Sequence, residues 1–131
     1  MFDDKMVVRF KDGTTLAGFG DNFMPGEESI LVADLDGHAH EIRLQEVKLV
    51  CFVRNFVGDS QSHAPSGQLL YQAVPGRKIR LKLKDGEELR GVSSLSELPR
   101  NGFFMTPLNP NSNNIHIYVN RDVVLSFAFE S

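Results

Sequence analysis

Hydrophobic and polar residues alternate in the same way at two places in the chain. Met6, Val8 and Phe10 are separated by Lys5, Val7, Arg9 and Lys11, and Ile79, Leu81 and Leu83 by Lys78, Arg80, Lys82 and Lys84. Period-two alternation marks a strand with one buried face. Each run ends in Lys-Asp-Gly, and Asp-Gly between such runs predicts a two-residue type I′ hairpin, whose central residues both take positive φ. Laying Asp12 on Asp85 sets an offset of 73 residues. At that offset six of the fourteen positions in 5–18 and 78–91 are identical: Lys5/Lys78, Lys11/Lys84, Asp12/Asp85, Gly13/Gly86, Leu16/Leu89 and Gly18/Gly91.

The offset extends further. It places Ile30-Leu31-Val32-Ala33 on Phe103-Phe104-Met105-Thr106 and Ile42-Arg43-Leu44 on Ile115-His116-Ile117. With two more residues in the second copy, Val50-Cys51-Phe52 falls on Leu125-Ser126-Phe127. Each copy reads as five short strands, the last mostly apolar. A flat five-stranded sheet leaves one face and two edges open, so each copy is expected to curl into a small barrel, and the two barrels to pack together. The boundaries are 1–58 for the first barrel, 59–76 for a connector and 77–131 for the second. The connector is rich in Ser, Pro and Gly, but Leu69, Leu70, Tyr71, Ala73 and Val74 are too apolar for a free tether and are expected to dock. Helix is expected only as one turn at Ser94–Glu97, stopped by Pro99.

Composition adds the class. With 131 residues, 41% hydrophobic, 24% charged and a net charge of −3, the chain suits one ordinary domain or two very small ones. No apolar run reaches membrane-spanning length and no leader pattern follows Met1, so a cytoplasmic protein without a membrane segment is expected. The single cysteine, Cys51, sits in an apolar run and is expected to be buried and inert. The charge is uneven: residues 1–60 carry 6 basic and 11 acidic side chains, net −5, and residues 77–131 carry 8 and 6, net +2.

The run Val8-Arg9-Phe10-Lys11-Asp12-Gly13, then Leu16, Gly18, Asp21, Phe23 and Met24 before Ile30–Ala33, resembles the first half of an Sm-like (SH3-type) barrel. The second copy keeps Leu83-Lys84-Asp85-Gly86, Leu89 and Gly91, but has Ser94–Pro99 in place of the Asp/Met turn. The resemblance implies two tandem five-stranded SH3/Sm-like barrels. More narrowly, Phe52-Val53-Arg54-Asn55-Phe56 with Gly58-Asp59, and Gly102-Phe103-Phe104 with Pro107, Pro110 and Ser112-Asn113-Asn114, make the chain similar to a bacterial family of uncharacterised tandem small-barrel proteins. That likeness implies a fold and no activity.

The Sm resemblance also implies RNA contacts at the second-strand turn and at a late Arg-Gly turn. Asp21-Asn22 stands at the first, but Gln45-Glu46-Val47-Lys48 and Asn120-Arg121-Asp122 hold no Arg-Gly. Because phosphate contacts dominate nucleic-acid affinity, the acidic first copy also argues against RNA. A divergent Sm-like nucleic-acid binder is therefore the second reading. The first is a non-catalytic interaction or regulatory module, binding a protein or an anionic ligand along Arg77, Lys78, Arg80, Lys82 and Lys84; the competing explanation of that stripe is a solvated strand face that resists edge pairing. The opposite charges of the copies also fit one packing on the other, or a head-to-tail homodimer.

Two loops complete the candidate recognition set: Asp34 and Asp36 in the first copy, Asn111, Asn113 and Asn114 in the second. Arg77-Lys78-Ile79-Arg80 imitates the basic half of a PilZ-type cyclic-dinucleotide site, but the surroundings of Ser112 do not supply the other half. His38, His40 and Glu41 form the nearest approach to a metal-dependent enzyme. No third ligand follows at suitable spacing, and an exposed turn is the expected state. His116 is expected to face solvent. No phosphate loop or nucleophile motif is present, so no catalytic residue, metal or cofactor is assigned.

Overall fold

The fold is described from a computed structural model, over residues 4–21, 23, 26–56, 76–93, 101–108 and 112–130. The apolar connector segment Leu69–Val74, the Ser94–Glu97 turn and Asn111 lie outside these residues. The described residues form ten strands: β1 Asp4–Phe10, β2 Thr15–Gly20, β3 Ser29–Asp34, β4 Ala39–Arg43, β5 Val47–Val53, β6 Arg77–Leu83, β7 Glu88–Ser93, β8 Gly102–Pro107, β9 Asn114–Asn120 and β10 Val124–Glu130. One-turn helices at Leu44–Glu46 and Arg121–Val123 precede β5 and β10. Among the described residues no helix is long and apolar enough to cross a membrane.

The chain is all-β, but its strands form one continuous antiparallel sheet instead of two separate ones. Its order is β10-β6-β7-β8-β9-β5-β1-β2-β3-β4, and among the described residues β10 and β4 are its open edges. The order β5-β1-β2-β3-β4 recurs as β10-β6-β7-β8-β9, and β5 pairs with β9 to join the halves.

Two hydrophobic cores lie on opposite faces of this sheet. Met6, Val8, Ile30, Val32, Val50 and Phe52 belong to the first; Leu49, Cys51, Val53, Ile79, Leu81, Phe103 and Val119 belong to the second. Strand β5 serves both, because successive side chains of a strand point to opposite faces. All seven of its residues are buried. Strand β9 does the same, sending Tyr118 into the first core and Ile117 and Val119 into the second.

Register corrects the alignment of the later strands. Ser29 pairs with Arg43 and Gly102 with Asn120; Phe10 pairs with Val47 and Leu83 with Val124. Strands β3 and β8 keep the offset of 73, whereas β4/β9 and β5/β10 stand at 77. The second half thus carries four extra residues, not two, and they fall between β8 and β9. Ile42 corresponds to Val119, not to Ile115, and Val50 to Phe127.

The hairpin turns also differ from expectation. Gly13 and Gly86 take positive φ, 94° and 97°, but no other described residue type does. Gly13 N–H donates to Phe10 O and Phe10 N–H to Thr14 O, with the same pattern at Leu83, Gly86 and Glu87. Each loop is a three-residue connection, a type I turn closed by a left-handed glycine, which asks positive φ of one residue instead of two.

Candidate functional site

The joint between the halves sets what the rest of the surface can do. Apolar burial carries it: Leu49 opposes Val119 and Cys51 opposes Ile117 in the second core, while Val50 opposes Tyr118 in the first. Each large side chain so buried contributes roughly 1.5–3 kcal/mol. Ion pairs rim this contact. Arg9 donates twice to Glu87, at 3.1 and 3.0 Å, and Lys48 reaches Glu87 at 2.6 Å and Asp85 at 2.5 Å. Lys11 meets Asp122 at 3.5 Å. The exposed Lys11–Asp122 pair contributes about 0–1 kcal/mol, while the bonds of Arg9 and Lys48 to Glu87 are part-buried.

The Lys48 side chain is buried along its length. Burial pulls its pKa down, but hydrogen bonds to Asp85 and Glu87 outweigh that and leave it raised. At Glu87 burial pushes the carboxyl up, and the bonds from Arg9 and Lys48 bring it below its usual value. The bond from Lys48 lowers Asp85 as well. The sequence reading did not find this cluster. Its signal was a lysine inside the apolar run Val47–Val53, where a charge needs an anion beside it.

All three cations at the rim come from the first half and all three anions from the second. Outside these pairs, residues 1–60 keep 3 basic side chains against 11 acidic ones, and residues 77–131 keep 8 against 3. Pairing at the joint therefore sharpens the electrical contrast between the two ends.

The basic stripe lies where alternation places it. Along β6, Lys78, Arg80 and Lys82 are exposed while Ile79, Leu81 and Leu83 are buried; Arg77 and Lys84 are exposed at the two ends. Across the sheet Arg80 stands opposite Arg90 on one side and Ala128 on the other, and Lys82 stands opposite Glu88 and Ser126. The Arg77 guanidinium lies 4.7 Å from the Phe129 ring and that of Arg121 5.4 Å from the Phe127 ring, so cations also line the open edge of β10.

The loop residues divide. Asn113 bridges the halves: its Nδ2 donates to Asn55 O at 2.8 Å, and its Oδ1 accepts from Asn55 N–H at 3.1 Å. Asn114 pairs with Val53 and its N–H donates to Ser112 Oγ. Both residues therefore make contacts at the joint between the halves. The acidic loop is exposed except at Asp34, whose Oδ1 accepts from the N–H groups of Asp36 and His38 and whose Oδ2 lies 2.8 Å from His40 Nε2. The His40 bond holds the Asp34 pKa down at about 2. His38 and His40 thus turn towards Asp34 and Asp36, not towards Glu41, which accepts a hydrogen bond from Ser29.

His116 is half-buried rather than solvent-facing, stacked on Phe52 at 4.3 Å, and burial lowers its pKa. Cys51 is buried and its thiol is pushed up to about 11 by desolvation, so it is a poor nucleophile. A polar cleft of about 460 Å³ opens where the halves meet, with Glu27, Glu28, Glu41 and Asp122 against Arg43 on its walls. Asn120 closes its floor by donating to Leu44 O and Val47 O.

In class this is an all-β protein of one open ten-stranded sheet, acidic at one end and basic at the other. The chain belongs to a family of unknown function (DUF6982), which it matches over residues 2–130. No curated protein and no solved structure matches it.

Proposed function

We propose that the protein is a non-catalytic interaction or regulatory module of two tandem SH3/Sm-like small barrels, acting in the cytoplasm. Its outer face on β10, β6 and β7 takes an anionic partner. One observation carries this reading. In the first half, Val7, Leu49 and Cys51 occupy the outer face of β1 and β5 and pack into the second core, with Arg9 ion-paired beside them. The register puts Arg80, Ser126, Ala128 and Lys82 at those same positions in the second half, where all four are exposed. The face that binds a neighbour in the first half is thus open and cationic in the second.

The test is retention on a heparin-like resin. Replacing Lys78, Arg80, Lys82 and Lys84 by Gln is expected to move elution to markedly lower salt, while Arg43→Gln leaves it in place. Equal elution of the two variants would overturn the reading. The Sm-like resemblance keeps nucleic acid as the second reading. It predicts that single-stranded RNA binds with log affinity falling against log salt by about 0.7 per phosphate contact, and that the four-Gln variant loses that slope.

A further inference from the structure

The hairpin of β3 and β4 gathers a different chemistry at the acidic end of the sheet. Ala33 pairs with Ala39 and Val32 with His40, and the same register sets Asp34 opposite His38, whose carbonyl accepts from Asp34 N–H at 2.8 Å. Cross-strand partners share a face, as do residues two apart on one strand. Asp34, His38 and His40 therefore stand on the face that carries Ile30, Val32 and Ile42 into the first core. His38 and His40 have no third ligand at suitable spacing further along the chain, and the hairpin supplies one from the preceding strand.

The ligand atoms converge. Asp34, Asp36 and His38 each present one, all within 4.8 Å of one another, and His40 Nε2 lies 2.8 Å and His38 Nδ1 3.9 Å from Asp34 Oδ2. Two donors bound to one ion at about 2.0–2.1 Å in tetrahedral geometry stand about 3.3 Å apart, so the two observed spacings bracket what a single ion requires. Asp34 Oδ1 is held by the N–H groups of Asp36 and His38, which leaves Oδ2 turned to the imidazoles. We propose that Asp34, Asp36, His38 and His40 bind a divalent transition-metal ion of the Zn²⁺ type. Imidazole nitrogen beside carboxylate oxygen suits Zn²⁺, Ni²⁺ or Cu²⁺, whereas Mg²⁺ and Ca²⁺ take oxygen ligands. The two carboxylates balance the charge of the ion, and the net −5 of residues 1–60 draws cations to this end. The second half has no counterpart: by register Pro107, Ile115 and Ile117 stand where Asp34, His38 and His40 do. The site is thus a property of the first half and independent of the cationic face on the second.

The untagged full-length chain, freed of metal with a chelator, tests this by calorimetric titration with Zn²⁺ and by the imidazole resonances of its four histidines. One ion per chain is expected to bind, shifting the signals of His38 and His40 and leaving those of His63 and His116 in place. Loss of a partner behind a metal ligand already costs about 10–100-fold in affinity, so His38→Ala and His40→Ala are each expected to weaken binding by at least about tenfold. Asp34→Asn is expected to weaken it similarly while keeping the turn, because the amide oxygen still accepts from the two N–H groups. Glu41→Gln, whose carboxylate is engaged by Ser29, is expected to retain the site. Mg²⁺ in place of Zn²⁺ is expected to leave the His38 and His40 signals unmoved. No binding of Zn²⁺, binding that survives when both histidines are replaced by Ala, or shifts confined to His63 or His116 would overturn the proposal.

Discussion

The two halves of the sheet share a strand order and differ in what covers them. In the first half, β5 is buried on both faces, VKLVCFV, and its outer side chains help build the neighbouring core. In the second, β10 reads VLSFAFE, and Ser126 and Ala128 stand exposed where Leu49 and Cys51 are buried. The same backbone position is an internal contact in one half and an open surface in the other. The difference is chemical as well as architectural: β10 lies at the edge of the described sheet where β5 is paired on both sides, and four positions change from apolar or paired to small or cationic.

The largest expected effect separates the halves at equivalent aromatic positions. Phe52→Ala removes a buried ring packed against Phe23, Phe104 and His116 and is expected to cost about 3–5 kcal/mol. Phe129→Ala, at the open edge, is expected to cost less than half of that in the monomer. Equal losses in chemical denaturation would mean that β10 is covered in the same chain.

Next comes the pair Asn120 and Arg43, equivalent by register. Asn120→Ala leaves the carbonyls of Leu44 and Val47 without their donor and is expected to cost about 1–3 kcal/mol. Arg43→Ala, on exposed β4, is expected to stay within about 0.5 kcal/mol. A thermal melt of both variants decides between them.

The ion pairs at the joint predict a pH window. Glu87 and Asp85 have folded values below their ordinary ones, so their stabilisation is present above about pH 4 and is lost as the pH falls through the folded values. Lys48 is raised, so its share is present below about pH 10 and is lost as the pH rises through its folded value. Glu87→Gln is expected to flatten the acid limb of stability against pH. An unchanged acid limb would show that other carboxylates carry it. The smallest effect belongs to Leu31→Lys, within about 0.5 kcal/mol in the monomer because the side chain is already open to water.

Much of this comparison was legible in the sequence, and the reason it stopped where it did is physical. Strands β1, β2, β6 and β7 were readable because each has one buried face, so polarity alternates and Asp12 and Asp85 mark the turns. Strand β9 was misaligned because it is buried on both faces near its end: Ile117, Tyr118 and Val119 all point into one core or the other, and a strand buried on both faces has no alternation to align. The Asn-rich composition before β9 does not disclose the hydrogen bonds of Asn113 to Asn55, because they depend on the pairing of β5 with β9. The stripe from Lys78 to Lys84 was readable from β6 alone. What it borders, the open edge of β10, required the pairing of β5 with β9.

Hydrogen exchange along β10 tests the central claim most directly. In dilute protein, amides of Val124–Glu130 on the open edge should exchange far faster than the doubly paired amides of Val47–Val53. Exchange of Val124–Glu130 as slow as that of Val47–Val53 would contradict the account.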